Sequence, residues 1–291
     1  MNASSRRAYR AQLRQSHPAA DKPPSRAGRN LPAAIGVGVT LGALVIATAL
    51  LWRPSFVALV TVVVVVGSLE MVGALRAGRI NPPVPPVLLG GALVPLAYVW
   101  GSEALLLAYG LVCLAVLVWR AIEGPQRAVR DIAGGVFVLT YVGLLASFAV
   151  LLIDAPDGGR RVIVYALLTT MSDIGGYAVG VLLGKHPMAP SISPKKSWEG
   201  LAGSLATSAV AGAVSVPLLL GGDWWVGALL GVSMAFLATV GDLAESTLKR
   251  DLGIKDMGNL LPGHGGLMDR LDSLLVTAPL CWLLLGVLVP V

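Results

Sequence analysis

The residues most able to do chemistry lie in Ser246–Ser273, STLKRDLGIKDMGNLLPGHGGLMDRLDS, and in GDLAES, which leads into it. Asp242 and Glu245 are spaced i,i+3 and Asp242 and Ser246 i,i+4, so a helix would present two carboxylates and a hydroxyl on one face. Lys249 and Arg250 follow one turn later. Carboxylates near the centre of a membrane span cost roughly 2.5–3.5 kcal/mol each, so they mark function by default. The plain alternative for Glu245 is an ion pair with Lys249 at i,i+4; it fits Asp242, deeper in the segment, less well. Gly and Pro then forbid a continuous helix between about 252 and 266. His264-Gly265-Gly266 would let backbone N–H groups approach an anion. Asp269 and Asp272 stand i,i+3 at the start of the next apolar run, with Arg270 between them. Helix capping accounts for one of these aspartates but not for both.

Hard oxygen ligands from two helix ends (Asp242, Asp269 and Asp272) suit Mg²⁺. Lys249, Arg250, Lys255 and Arg270 suit phosphate oxygens. A metal beside a basic clamp points to phosphoryl or nucleotidyl transfer, where catalysis is chiefly positioning and charge stabilisation. No Walker-type loop or kinase glycine loop occurs, so any nucleotide site is of another kind. A second polar stretch, HPMAPSISPKKSWEG, adds Ser193, Lys195, Lys196 and Ser197 as a compact anion-binding set, although a Lys-Lys pair beside a span also serves as a topology anchor. Asp173 lies inside an apolar segment and divides between an active-site role and a structural ion pair. Gly176, Gly180 and Gly184 follow at i,i+4 steps, a stripe for close helix packing. His17 and His186 belong to no constellation and read as solvated loop residues.

What must position these groups is a membrane scaffold. The 291-residue chain is 55% hydrophobic and 13% charged, with mean hydropathy +0.77. Soluble domains carry about 25% charged residues, so a soluble globular protein is excluded. The expected fold class is an all-α polytopic membrane bundle of nine spans, near 32–52, 55–76, 85–101, 103–120, 132–153, 161–184, 200–220, 224–245 and 271–290. With the N-terminus inside and the C-terminus outside, 19 of the 22 Lys and Arg fall on inside segments; only Arg53, Arg160 and Arg161 do not. Three regions follow: a basic, disordered tail over 1–30, scaffold helices over 31–160, and a catalytic region over 161–291 facing the cytoplasm. Cys113 and Cys281 sit in apolar runs and read as packing residues.

The run Ser246-x-Leu248-Lys249-Arg250-x4-Lys255-Asp256-x-Gly258-x2-Leu261-Pro262-x-His264-Gly265-Gly266-Leu267-x-Asp269-Arg270-Leu271-Asp272 resembles the signature of the phosphatidate cytidylyltransferases. SPKKSWEG resembles the family's second motif, and GDLAES its lead-in. The likeness is close over residues 165–290. The expected Asp-Thr-Gly-Ala-Tyr reads Asp173-Ile-Gly-Gly-Tyr177 here, which leaves the aspartate in place and puts little weight on its neighbours. The resemblance implies attack of the phosphatidate phosphate on the α-phosphorus of CTP, giving CDP-diacylglycerol and pyrophosphate. It also implies Mg²⁺, alone or with a second cation, on Asp242 and Asp269 with Asp272 and Asp173 behind them. Lys195, Lys196, Lys249, Arg250, Lys255 and Arg270 would hold phosphates, and His264 would contact phosphate or order the loop. The partners expected are CTP, phosphatidate and membrane lipids in a prokaryotic plasma membrane. No nucleic acid is expected, and the glycine-rich spans suit a homodimer. A polyprenol kinase using CTP would share the metal and the basic groups without the complete signature. A transporter would place its acids at mid-membrane in both halves.

Overall fold

In lipid, an apolar run satisfies its backbone only as a helix or a closed barrel. Accordingly, the computed structural model, which describes residues 31–258, 260 and 265–289, is built of helices. These are α1 Leu31–Leu51, α2 Arg53–Ala77, α3 Val84–Leu88, α4 Gly90–Glu123, α5 Ala128–Val138, α6 Leu145–Asp154, α7 Gly158–Leu183, α8 Trp198–Leu220, α9 Trp224–Asp251 and α10 Met268–Leu288. Between α5 and α6, Leu139–Leu144 winds as a π-helix. Seven helical stretches among the described residues are long and apolar enough to cross a membrane. The stretch Val84–Glu123 counts as one of them, yet Gly101 breaks it with φ +76 and ψ −167. The chain divides into two compact units, Met1–Thr40 and Leu41–Val291; the described part of the first is the opening of α1. The expected tail over 1–30 lies outside the described residues.

One expectation needs amending. The stretch read as an inside loop before α8 forms an antiparallel hairpin, β1 Pro187–Ala189 with β2 Ser193–Ser197. Its short strands lack the alternation that marks a half-buried strand. The hairpin hands straight over to α8, where Ser197 Oγ caps the helix by accepting from the Gly200 N–H at 3.1 Å.

The second unit is held by two kinds of packing. A large apolar core joins Met71 of α2, Val142 of the π-helical stretch, Met234 of α9 and Met268 of α10, all fully buried. Against it, α7, α8 and α9 approach at backbone distance through small residues. Gly176 faces Ser204, Gly180 faces Gly200, and Gly212 of α8 meets Gly227 of α9 carbonyl to Cα. The glycine stripe seen in the sequence is thus the α7–α8 contact face. Hydroxyls stitch the same seam: Ser204, Thr207 and Ser208 donate to the carbonyls of Ser172, Met171 and Leu168 at 2.7, 2.9 and 2.9 Å.

A methyl group at Gly212 would collide with the Gly227 carbonyl, a backbone atom that cannot step aside, whereas one at Gly110 meets nothing within 4 Å. Gly212→Ala should therefore lower thermal stability in detergent by about 1–3 kcal/mol. Gly110→Ala should be neutral or mildly stabilising. Equal melting of the two variants would refute the tight-seam account.

Candidate active site

Lys249 stands where α9 runs out. Its Nζ lies 2.5 Å from Glu245 Oε2 and 2.9 Å from Asp269 Oδ1, so a single ammonium joins α9 to α10. Glu245 is 1% and Asp269 7% exposed, so each depends on that cation. The i,i+4 pair foreseen for Glu245 is present, but it is half of a three-membered cluster. Asp269 Oδ2 in turn accepts the N–H of Met257 at 3.0 Å and of Gly266 at 2.8 Å. One carboxylate therefore gathers both sides of the loop between α9 and α10. The loop leaves α9 through Gly253, whose φ of +68 favours glycine, with the Leu252, Gly253 and Ile254 N–H groups on the last carbonyls. It returns through Gly265 at φ +80, where a side chain would crowd Asp269 Oδ2 and Asp256 Oδ1.

The second motif reaches this cluster from the hairpin. Lys196 Nζ sits 2.5 Å from Asp242 Oδ2, while Asp242 Oδ1 accepts from Ser273 Oγ at 2.8 Å. Asp242 and Asp272, on different helices, bring their carboxyl groups within hydrogen-bonding reach of one another. Arg250 donates from Nε to the Ile192 carbonyl at 3.3 Å and so ties the hairpin turn to α9. A cavity of about 410 Å³ opens over these groups, lined by Asp173, Asp242, Asp269 and Asp272 together with Lys195, Lys196 and Arg270. Asp173 projects into it from α7, exposed to the cavity.

Other predicted residues are placed differently. Ser197 lines the cavity but spends its hydroxyl on the α8 cap. Lys249 lies beneath the cavity as its strut, while Ser193, Ser246, Arg250, Lys255 and Asp256 are not part of its lining. Lys255 and Asp256 are exposed on the loop. His264 lies outside the described residues. His186 is more than a solvated loop histidine: its Nδ1 meets Glu199 Oε1 at 2.5 Å, and Glu199 Oε2 accepts the Lys185 and His186 N–H groups at 3.2 Å each. An exposed pair of this kind adds little stability, but it orders the approach to β1.

Two residues of the first half escape the sequence reading. Glu70 of α2, expected to be scaffold, accepts the Met268 N–H at 2.9 Å and so caps α10, with its carboxylate pressed against Gly258 and Gly266. Tyr141 places a buried hydroxyl, without a hydrogen-bond partner among the described residues, in the electrostatic field of Asp272, Glu245 and Asp242. A lone Glu in an apolar run is the available signal for Glu70. Nothing in the sequence marks the π-helical turn that carries Tyr141.

Among the described residues, no group of three or more His, Cys, Asp or Glu is already arranged to hold a metal ion. The donor set nevertheless fits one. Two carboxylates in contact need a proton or a cation between them, and the Lys196 and Lys249 amines already rest on Asp242 and Asp269 as stand-ins for positive charge. The oxygens are of the kind Mg²⁺ prefers.

Together these features define a polytopic helical membrane protein with an acid-and-base cavity at one end of its helices. The pattern of the cytidylyltransferase family matches residues 32–288, and the chain belongs to that family. It is 44% identical over 280 residues to the phosphatidate cytidylyltransferase of Mycobacterium leprae, covering 90% of each chain. It is 43% identical over 278 residues to that of Mycobacterium tuberculosis, covering 91% of this chain and 85% of the relative. With the Brucella suis protein of the same name it shares 35% identity over 178 residues, 61% of this chain and 63% of the relative.

Glu70→Ala removes the α10 cap and should cost about 0.5–2 kcal/mol. Amide exchange should rise at Met268 and leave the middle of α8 unchanged. Unaltered exchange at the start of α10 would show that Glu70 does not hold it.

Proposed function

We propose that the chain is a phosphatidate cytidylyltransferase, converting CTP and phosphatidate to CDP-diacylglycerol and pyrophosphate. The observation that carries this reading is the cavity in which four aspartates meet Lys195, Lys196 and Arg270, in a member of a family whose relatives bear that name. A triphosphate and a phosphate monoester are both polyanions, and such a cavity suits their joint capture.

The chemistry asks little of a general base. A phosphate monoester has its second pKa at about 6, by analogy with phosphoserine, so the attacking oxygen is largely ionised at neutral pH. That oxygen bonds to the α-phosphorus of CTP, the bond from the α-phosphorus to the bridging oxygen breaks, and pyrophosphate leaves with the electron pair. Lys195, Lys196 and Arg270 orient the phosphates and offset charge as it develops. Lys196 suits this because its flexible stem, a quarter exposed, lets the amine turn from Asp242 to a phosphate oxygen. Asp269, with Lys249 and two backbone N–H groups upon it, keeps the loop in place while it faces the cavity. Mg²⁺, alone or with a second cation, would be held by Asp242 and Asp269 with Asp272 and Asp173 beside them, and when bound supplies charge neutralisation at the phosphate oxygens. Tyr177, which lines the cavity, and Ile174 and Val181, exposed on the same helix α7, would give the acyl chains an apolar lateral approach.

Forty residues at a rise of 1.5 Å would span about 60 Å, twice a bilayer core of about 30 Å. The break at Gly101 therefore supports two crossings in Val84–Glu123. With α1 as a further span the count is nine. The charge bias then supports an N-terminus and a cavity on the cytoplasmic side of a bacterial plasma membrane.

The test is incubation of purified protein with labelled CTP, phosphatidate and Mg²⁺. Asp242→Asn is a cleaner control than Asp269→Asn, because Asp269 also organises the loop. CDP-diacylglycerol should form with the parent and fall roughly 10²–10³-fold with Asp242→Asn, the scale of losing one electrostatic stabiliser from such a site. Lys196→Ala should raise KM for CTP or phosphatidate about tenfold and leave melting unchanged. CTP turnover only with a polyprenol acceptor would instead assign a kinase.

A further inference from the structure

Arg53, Arg160 and Arg161 are the three basic residues that oppose the charge bias of the chain. Arg161 serves the fold: it is buried, with Nε on Asp157 Oδ1 at 2.6 Å and Nη2 on the Val289 carbonyl at 2.5 Å. Arg53 and Arg160 line a second cavity, of about 680 Å³, at the opposite end of α7 from the catalytic one. From Arg160 to Asp173 is thirteen residues of helix, about 20 Å along the axis. Arg53 is held by the Pro156 carbonyl at 2.7 Å and the Asp154 carbonyl at 3.5 Å, which leaves most of its five N–H donors uncommitted. Arg160, exposed, has one long bond of 3.4 Å to the Leu219 carbonyl. The one acid among the described residues of the lining, Asp157, is already neutralised by Arg161. Two guanidinium groups therefore face a largely open recess whose described lining offers them no carboxylate to spare.

The rest of the lining narrows the ligand. Trp52 is 66% exposed at the rim, and Tyr98 lies inside, aromatics of the kind that sit at headgroup level in membranes. Leu50 and Leu51, 55% and 81% exposed, continue the cavity as an apolar wall. Guanidinium forks match phosphate oxygens, and an adjoining greasy wall matches an acyl chain. We propose that this cavity is a phosphate site for the headgroup of a phospholipid in the leaflet opposite the catalytic cavity. The inference is independent of the proposed reaction, because it uses none of the catalytic residues.

The full chain, stripped of lipid in detergent, is melted with increasing phosphatidylglycerol, with a galactosyl diacylglycerol of the same acyl chains, and with inorganic phosphate. Arg53→Gln/Arg160→Gln is compared with the parent, beside Arg160→Gln alone, whose exposed side chain is dispensable for folding. The catalytic cavity is the same in all three proteins, so its own lipid binding cancels. Phosphatidylglycerol should raise the parent's Tm, with its half-saturating concentration about tenfold higher in the double variant and severalfold higher in Arg160→Gln. The galactolipid should give no difference between parent and variants. Equal sensitivity of all three proteins to phosphatidylglycerol would overturn the site. An equal, arginine-dependent response to inorganic phosphate would overturn the lipid assignment and leave a soluble anion as its ligand.

Discussion

The Lys249 ammonium, between Glu245 and Asp269, is the contact on which the functional end of the molecule depends. Two carboxylates that are 1% and 7% exposed could not both stay ionised there without a cation between them. Because the partners come from α9 and α10, the same contact sets the distance between those helices. Asp269 then passes the constraint to the loop through the Met257 and Gly266 N–H groups. Asp242 and Asp272, one turn from the clamp on either helix, are thereby brought together at the cavity floor. The polar island in an otherwise greasy chain is a structural knot first, and its knotting is what leaves a few oxygens and amines directed at a shared space.

The first half of the chain contributes more than bulk. Glu70 of α2 caps α10, and Gly258 and Gly266 leave just enough room for its carboxylate. Met268, beside that cap, is fully buried against Gly67 of α2 and Val142 of the π-helical stretch. Scaffold and site are thus joined by one hydrogen bond and one well-packed side chain at the point where the loop becomes helix. On the other flank, the glycine seam between α7, α8 and α9 brings Asp173 and the Lys195–Lys196 hairpin to the same opening.

Much of this is legible in the residues themselves. Apolar runs of membrane length, punctuated by Gly and Pro, mark the helices, because a lipid environment leaves the backbone few choices. The spacing of Asp242, Asp269 and Asp272 marks the site, since charge inside such a chain is costly enough to be informative. Three things are hidden. Which carboxylate is spent on architecture depends on neighbours distant in sequence, so Asp269 reads as a metal ligand alone when it is also the loop's anchor. Glu70 lies 198 residues from the N–H it caps, a pairing that no local pattern carries. The hairpin Pro187–Ser197 and the π-helical turn at Tyr141 are short departures from regular structure, set by the packing around them.

The proposed reaction needs the cavity's carboxylates to hold a divalent metal for a polyphosphate. Mn²⁺ binding to the full chain, followed by paramagnetic resonance in the presence of CTP, tests it most directly. Protein-bound Mn²⁺ should be coupled to the phosphorus of CTP in the parent and bind more weakly by at least about tenfold in Asp242→Asn, the lower end of what disturbing a metal's surroundings costs. Equal binding by parent and variant, or bound Mn²⁺ with no coupling to the nucleotide, would contradict it.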